Sequence, residues 1–313
     1  MENYTTFISS RGIMRSCDYY TAKPKSSSNH IEIPFERGQP AHKSIYVCSD
    51  AIEKFCIEIE PMIDYQYTLV SGDSDREITD EICEKSLVSK IILNSKMKSW
   101  YAQNLTYKHP KIKNLPIGLD YHTVHEKPYL WGLKAHSPLA QELTLIDILQ
   151  RSSLIENRFF AAYCNWQFAM NRGDRSECLQ KIDKQLCFFE PDRLPRTATW
   201  SRQSEFMFVI SPFGAGLDCH RTWEALMLGC IPIIRRSGIS SLFDNLPVLQ
   251  LENWADLTKD MMLATYKDFL SKKFDFTTLF LAPWSKKFRE AYETQLPPML
   301  ISEFRQLIRV SVS

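Results

Sequence analysis

The sequence predicts an α/β protein built on parallel sheets, and two observations carry that prediction. Between residues 44 and 117, short apolar runs alternate with helical patterns, the order that gives a parallel sheet covered by helices on both faces. Residues 206–234 then read as an apolar run, a glycine-bearing turn, a helical pattern and a second apolar run. Such a unit is one right-handed crossover of a parallel sheet.

The first half is expected to begin with a polar, irregular stretch over residues 1–30, followed by alternating elements. Strands are predicted at the apolar runs 44–48, 67–70, 90–93 and 112–117. Helices are predicted between them, at 51–60, 78–88 and 97–104. Ligands of such sheets bind beyond the carboxyl ends of the strands. Asp73, Asp75, Asp120 and His122, which follow predicted strands, are therefore expected on one rim.

The middle of the chain connects two predicted units. Residues 124–135 form a turn-rich aromatic loop that could serve packing or could offer aromatic faces to a ligand as a binding lip, and the sequence favours neither. Residues 138–151 predict a helix with its apolar side formed by Leu139, Leu143, Ile146 and Leu149.

The second half repeats the alternation of strands and helices. Strands are predicted at 159–163, 187–189, 206–210, 231–234 and 248–251. Two Rossmann-like domains are therefore expected, at 1–152 and 153–290, with a tail at 291–313.

The turn and helix after residue 210 suit an anion. The first N–H groups of a helix lack partners within it and lie at the positive end of its dipole. Gly214 and Gly216 allow a ligand close to the backbone, and Asp218 is expected to cap the helix. Arg221 could donate to phosphate oxygens, and Glu224 could accept from ribose hydroxyls. The alternative is an ordinary capped helix on which Arg221 and Glu224 form a solvated pair.

The segment SPFGAGLDCHRTWEALMLGCIPII resembles the nucleotide-sugar-binding segment of exostosin-like glycosyltransferases. The likeness extends to Leu246-Pro247 and Asn253-Trp254, and its core, Arg-x-x-Glu-Ala-Leu, is fairly specific. It departs from many relatives at Cys219-His220, which leaves the role of His220 open.

The resemblance implies a GT-B fold, in which two Rossmann-like domains face a cleft and the last helix, here within 291–313, packs back on the first domain. It implies a UDP-sugar donor, carrying xylose, glucuronate or a similar sugar, and a glycan acceptor. Donor-binding residues are then expected at Ser211, Gly214, Gly216, Asp218, His220, Arg221 and Glu224, and at Arg172 and Arg175 near the first strand-to-loop turn of the second domain.

Transfer with inversion needs a general base to take the proton of the acceptor hydroxyl. Asp75 and Asp120 are the leading candidates for this base, followed by Asp73 and His122. Asp73-Ser74-Asp75 also matches an Asp-x-Asp metal pattern, but the diphosphate is expected in the other domain, so no metal or other cofactor is predicted. Two alternatives stay open: a non-catalytic nucleotide-sugar or glycan binder of the same fold, and a fucosyltransferase-like enzyme that uses a GDP-sugar.

The composition of the chain argues against several other classes of function. The net charge is +1 and the basic residues are spread along the chain, which argues against nucleic-acid binding. No apolar run reaches roughly 18 residues, so no membrane span is expected, and the start lacks a signal-peptide core. Nine cysteines without a Cys-x-x-Cys pair favour reduced thiols. A soluble cytoplasmic protein is expected.

Overall fold

Two parallel sheets organise the chain in this computed structural model, which describes residues 2–34, 38, 42–131, 134–289 and 304. The predicted α/β class with parallel sheets is confirmed, and the arrangement is compatible with two Rossmann-like units. The first sheet has the order β1-β2-β3-β4, with β1 Lys43–Cys48, β2 Tyr67–Gly72, β3 Met97–Ala102 and β4 Ile112–Asn114. The second has the order β6-β5-β7-β8-β9, with β5 Phe159–Cys164, β6 Cys187–Phe189, β7 Phe206–Ile210, β8 Ile231–Arg235 and β9 Leu249–Leu251.

Eleven α-helices are found in the described ranges. Those before the second sheet are α1 Ser10–Arg15, α2 Ile52–Glu58, α3 Asp80–Cys83, α4 Ser86–Leu93, α5 Tyr121–Glu126 and α6 Pro138–Arg151. The others are α7 Arg175–Lys181, α8 Arg196–Gln203, α9 His220–Met227, α10 Lys259–Ser271 and α11 Leu281–Phe288. None of the helices in this described part is long and apolar enough to cross a membrane.

The two sheets differ in how the chain visits their strands. In the first sheet each described strand pairs with the next one along the chain. In the second sheet the chain leaves β5 for β6 on one side and then returns to place β7 on the other side. The strand order therefore reverses at the carboxyl ends of β5 and β7, where open parallel sheets form a crevice for ligands.

One apolar core joins the two sheets. It includes Tyr101 of β3, Val209 of β7 and Trp223 of α9, and helix α11 also packs into it. The ring of Phe288 lies 5.4 Å from that of Tyr101. The tail helix predicted at 291–313 lies outside the described residues except for Phe304, whose ring centroid is 6.1 Å from that of Phe7.

The expectation that residues 1–30 are irregular is wrong for the N-terminal segment, here defined as residues 2–17. Phe7, Ile8 and Ile13 are buried, and the segment forms single β-bridges from Phe7 to Phe280 and from Ser9 to Leu119. Several of its polar residues are buried too, some with local partners and some with distant ones. Arg11, for example, forms an ion pair with Asp73 at 3.1 Å.

Two further predictions for the first half are wrong. Residues 90–93 end helix α4, and residues 97–102 form strand β3, the reverse of the expected assignment. The apolar residues of α4 that are buried, Val88, Ile91 and Ile92, recur at helical spacing, which a short run did not reveal.

Helix α6 buries only part of the predicted face: Leu149 is buried and Ile146 packs against the core, as expected, but the other two leucines do not. Leu139 and Leu143 are exposed, whereas Glu142 is buried and accepts hydrogen bonds from the backbone N–H groups of Thr6 and Phe7 at 2.7 and 3.0 Å. Contacts with the N-terminal segment therefore decide the orientation of this helix.

Candidate functional site

A cavity of about 540 Å³ lies at the carboxyl ends of β5 and β7, where the strand order reverses. This volume is within the range of about 300–1,000 Å³ that is typical of small-molecule sites. Most of the wall comes from the loops after β5, β6 and β7 and from helices α8 and α9. Asp75, Ile117 and Asp120, from loops that follow strands of the first sheet, form another part of the wall.

Three arginines expected to bind the donor, Arg172, Arg175 and Arg221, line this cavity. Arg221 donates from Nε to the Asn165 carbonyl at 3.0 Å and from Nη1 to the Pro212 carbonyl at 3.3 Å. Within the described residues, none of the three forms an ion pair with a carboxylate. Burial, followed by the charge of Arg221, lowers the pKa of Arg175. The positive charge gathered here is therefore available to an anion.

Glu224, one helical turn after Arg221 on α9, also reaches the cavity. Its carboxylate is buried, and the Nε of Arg196 lies 3.9 Å from its Oε1. Arg196 is bound more closely to Asp120, with Nη2 3.0 Å from Oδ2. Because the Arg196 contact to Glu224 is long, the carboxylate keeps acceptor capacity for a ligand hydroxyl.

The glycine-bearing loop after β7 packs against the first sheet. A Cβ atom on Gly216 would lie 3.2 Å from the Cα of Asp75 and 3.0 Å from the Asn104 amide nitrogen. Gly214 lies on the cavity wall beside Arg175. Ser211 does not line the cavity, because its buried hydroxyl is hydrogen-bonded to that of Thr222 at 2.8 Å.

Asp218 does not cap α9, contrary to the sequence prediction. Cys219 occupies the N-cap position, with no side-chain cap. The Asp218 carboxylate instead accepts from the backbone N–H of Ile117 at 2.7 Å and from the Trp223 indole at 2.8 Å. Burial raises its pKa to about 6. Asp218 thus fastens the start of α9 to the loop after β4 while it also lines the cavity.

The four expected base candidates lie in different surroundings. Asp73 is buried away from the cavity wall, where its carboxylate contacts Arg11 and accepts from the Ser26 hydroxyl at 2.8 Å. Asp75 is exposed at the cavity edge, and its carboxylate makes no hydrogen bond or ion pair within the described part of the chain.

Asp120 lies between two basic side chains, with its Oδ1 3.1 Å from Nδ1 of His122 and its Oδ2 3.0 Å from Nη2 of Arg196. Burial alone would raise the pKa of Asp120, but the charge of Arg196 and the imidazoles of His122 and His220 outweigh it and hold the pKa well below its ordinary value. Burial lowers the pKa of His122 to about 4, although the nearby Asp120 carboxylate opposes that shift. His122 itself is not on the cavity wall.

Sequence reasoning missed four charged residues of the site, Glu190, Asp192, Arg193 and Arg196. Glu190 follows β6, lines the cavity and accepts from the Tyr163 hydroxyl at 3.0 Å. Asp75 was selected because it follows the carboxyl end of a strand, and the same reasoning applies to Glu190. No local sequence pattern pointed to Arg196, because its partner Asp120 is 76 residues away in the sequence.

No group of three or more His, Cys, Asp or Glu side chains suited to a metal is found in the described ranges. The Asp73-Ser74-Asp75 pattern does not form a pair of ligands, since Asp73 is bound by Arg11 and only Asp75 reaches the cavity. The expectation that no metal is required stays a prediction.

Comparison with known proteins gives no further assignment. No protein-family model matches the chain, and no curated protein matches it.

Proposed function

We propose that this chain is a glycosyltransferase of GT-B type that uses a nucleoside-diphosphate sugar, as its resemblance to exostosin-like enzymes implies. One observation carries the proposal: Arg172, Arg175 and Arg221 face a single cavity without carboxylate partners among the described residues. The cavity lies where the second sheet reverses its strand order, the usual place for a nucleotide in such sheets.

The lining of the cavity suits each part of such a donor. The three arginines and the first N–H groups of α9 would bind the diphosphate. Glu224 would accept from the ribose hydroxyls. Trp166 and Phe168, which also line the cavity, offer apolar aromatic surface beside Arg221 for the base.

In the reaction, the arginines would stabilise the negative charge that develops on the leaving diphosphate. This role needs no metal, so transfer is expected to persist in a chelator, and loss of activity in EDTA with recovery in Mn²⁺ would contradict it. The acceptor hydroxyl would approach from the side of the first sheet, past Asp75 and Asp120.

The proposed compartment is a reducing one such as the cytoplasm. All nine cysteines are free thiols, and several of them are buried in the apolar cores.

The test is a thermal-shift and calorimetric comparison of UDP, GDP, ADP and inorganic phosphate, followed by hydrolysis assays with UDP-xylose, UDP-glucuronate and GDP-fucose. We expect UDP to stabilise the chain most and a UDP-sugar to be slowly hydrolysed. A preference for GDP would favour a fucosyltransferase-like enzyme. Binding of nucleotide without turnover of any donor would indicate a non-catalytic binder, and no binding would refute the proposed site.

A further inference from the structure

We infer that Nε2 of His220 is the general base that takes the proton of the acceptor hydroxyl, an inference that rests on the proposed function. Four other residues were expected in that role from the sequence. The geometry around His220 favours it over each of them.

The first observation fixes the tautomer of His220. Its Nδ1 lies 2.7 Å from the carbonyl oxygen of Gly118. A carbonyl can only accept, so Nδ1 carries the hydrogen in the neutral imidazole. The lone pair is then on Nε2, which has no hydrogen-bond partner among the described residues. His220 is only partly buried and lines the cavity.

The second observation is its position between the two sheets. His220 is the first residue of α9, directly before Arg221, and its ring is held by the loop that follows β4. The base must reach the proton of the acceptor hydroxyl while that oxygen attacks the sugar carbon from the face opposite the diphosphate. The ring of His220 is bonded to the wall formed by the first sheet's loops, from which the acceptor would enter, and lies one residue from Arg221, which would hold the diphosphate.

The third observation concerns the charges that face the ring. The carboxylates of Asp120 and Asp218 both interact electrostatically with His220, and they would stabilise the imidazolium that forms. His122 also faces it, and Arg196 is held against Asp120.

The rival candidates are less suited. Asp73 is away from the cavity and bound to Arg11. Asp120 is bound to Arg196, an arrangement that stabilises its ionised form and weakens it as a base. His122 does not line the cavity. Of these four, only Asp75 has a carboxylate on the wall without an ion pair or hydrogen bond in the described structure, but it is exposed to solvent and no such bond orients it.

In the proposed step the acceptor oxygen forms a bond to the anomeric carbon of the donor while its proton passes to Nε2. The bond between that carbon and the diphosphate oxygen breaks, and the diphosphate leaves with the electron pair. The imidazolium then returns its proton to solvent. Water in place of the acceptor gives slow donor hydrolysis by the same route.

The experiment compares the wild type with His220→Gln and, as a matched control, His122→Gln. UDP affinity is measured by calorimetry, and hydrolysis of the best UDP-sugar is measured as kcat and KM from pH 5 to 9. We expect His220→Gln to keep UDP affinity within about twofold, to lower kcat by about 100-fold or more, and to remove the fall of the rate at acid pH. His122→Gln should keep that acid limb and a rate within about fivefold of the wild type.

The outcomes separate this inference from the proposed function. If His220→Gln weakens UDP binding while kcat stays within about tenfold of the wild type, His220 binds phosphate and is not the base. A wild type that binds UDP but hydrolyses no donor would also overturn the inference while leaving the diphosphate site intact. A wild type that binds no nucleotide would refute both.

Discussion

The two rims that meet at the cavity use their charged residues differently. On the rim of the first sheet the two buried carboxylates are paired, Asp73 with Arg11 and Asp120 with Arg196 of helix α8, whereas Asp75 is exposed and forms no ion pair in the described part of the chain. On the rim of the second sheet Arg172, Arg175 and Arg221 lack carboxylate partners in the described part of the chain. The first arrangement stabilises the fold, whereas the second keeps positive charge available for a ligand.

This difference agrees with the topology of the sheets. The first sheet adds its described strands in one direction, while the second reverses its order at β5 and β7. Only the reversal opens a crevice between neighbouring crossovers. A charged residue on a rim is therefore a candidate binding group when it has no counter-charge and the sheet leaves space beside it.

Removing a paired cation is expected to cause the greatest loss of stability. Arg196→Ala would leave Asp120 buried and without its partner, and we expect a loss of about 3–5 kcal/mol in the free energy of unfolding. Urea denaturation measures this change. Arg236→Ala, in an exposed pair with Glu252, is the control and should change stability by less than about 1 kcal/mol. Equal losses in both variants would remove the distinction between the rims.

Removing an unpaired cation should weaken ligand binding but should not reduce the stability of the free protein. Arg175→Ala is expected to weaken UDP binding by roughly 1.5–3 kcal/mol, because charge-assisted bonds to phosphate are lost. Stability without ligand should be unchanged or slightly higher, since repulsion from Arg221 is relieved. Calorimetry and urea denaturation on the same variant test both parts. Arg175→Lys should lie between the wild type and the alanine variant.

The smallest change is expected from replacing Asp75, which should respond differently from Asp120 when its carboxylate is lost. Asp75→Asn should change the rate of donor hydrolysis by less than about tenfold if the proton goes to His220. Asp120→Asn should instead reduce stability, because Arg196 loses its counter-charge. A fall of about 100-fold or more in the rate for Asp75→Asn, with unchanged UDP affinity, would assign the base to this carboxylate.

The sequence predicted the second sheet more accurately than the first, for a physical reason. The strand expected at 206–210 is β7 to the residue, because its five apolar residues are all buried and a glycine turn follows. In the first sheet, β3 includes exposed Lys98, and α4 contains a short apolar run that resembles a strand. Short runs leave helix and strand unresolved when burial on one face comes from tertiary contacts.

Much of the candidate site followed from local pattern, since Arg221, Glu224 and the two glycines belong to one crossover unit. Residues that depend on distant partners did not follow. Asp218 reads locally as a helix cap, yet it accepts from Ile117, 101 residues away. The orientation of His220 depends in the same way on Gly118. Contacts of this kind leave no periodic trace in a sequence.

Gly118 connects the cavity to the beginning of the chain. Its φ is +66°, and a Cβ there would lie 2.5 Å from the carbonyl oxygen of Ile8. The next residue, Leu119, donates its N–H to that same oxygen at 2.9 Å. The alignment of the imidazole therefore depends on Ile8, and deletion of residues 2–17 would be expected to disturb the proposed proton transfer without altering any cavity residue.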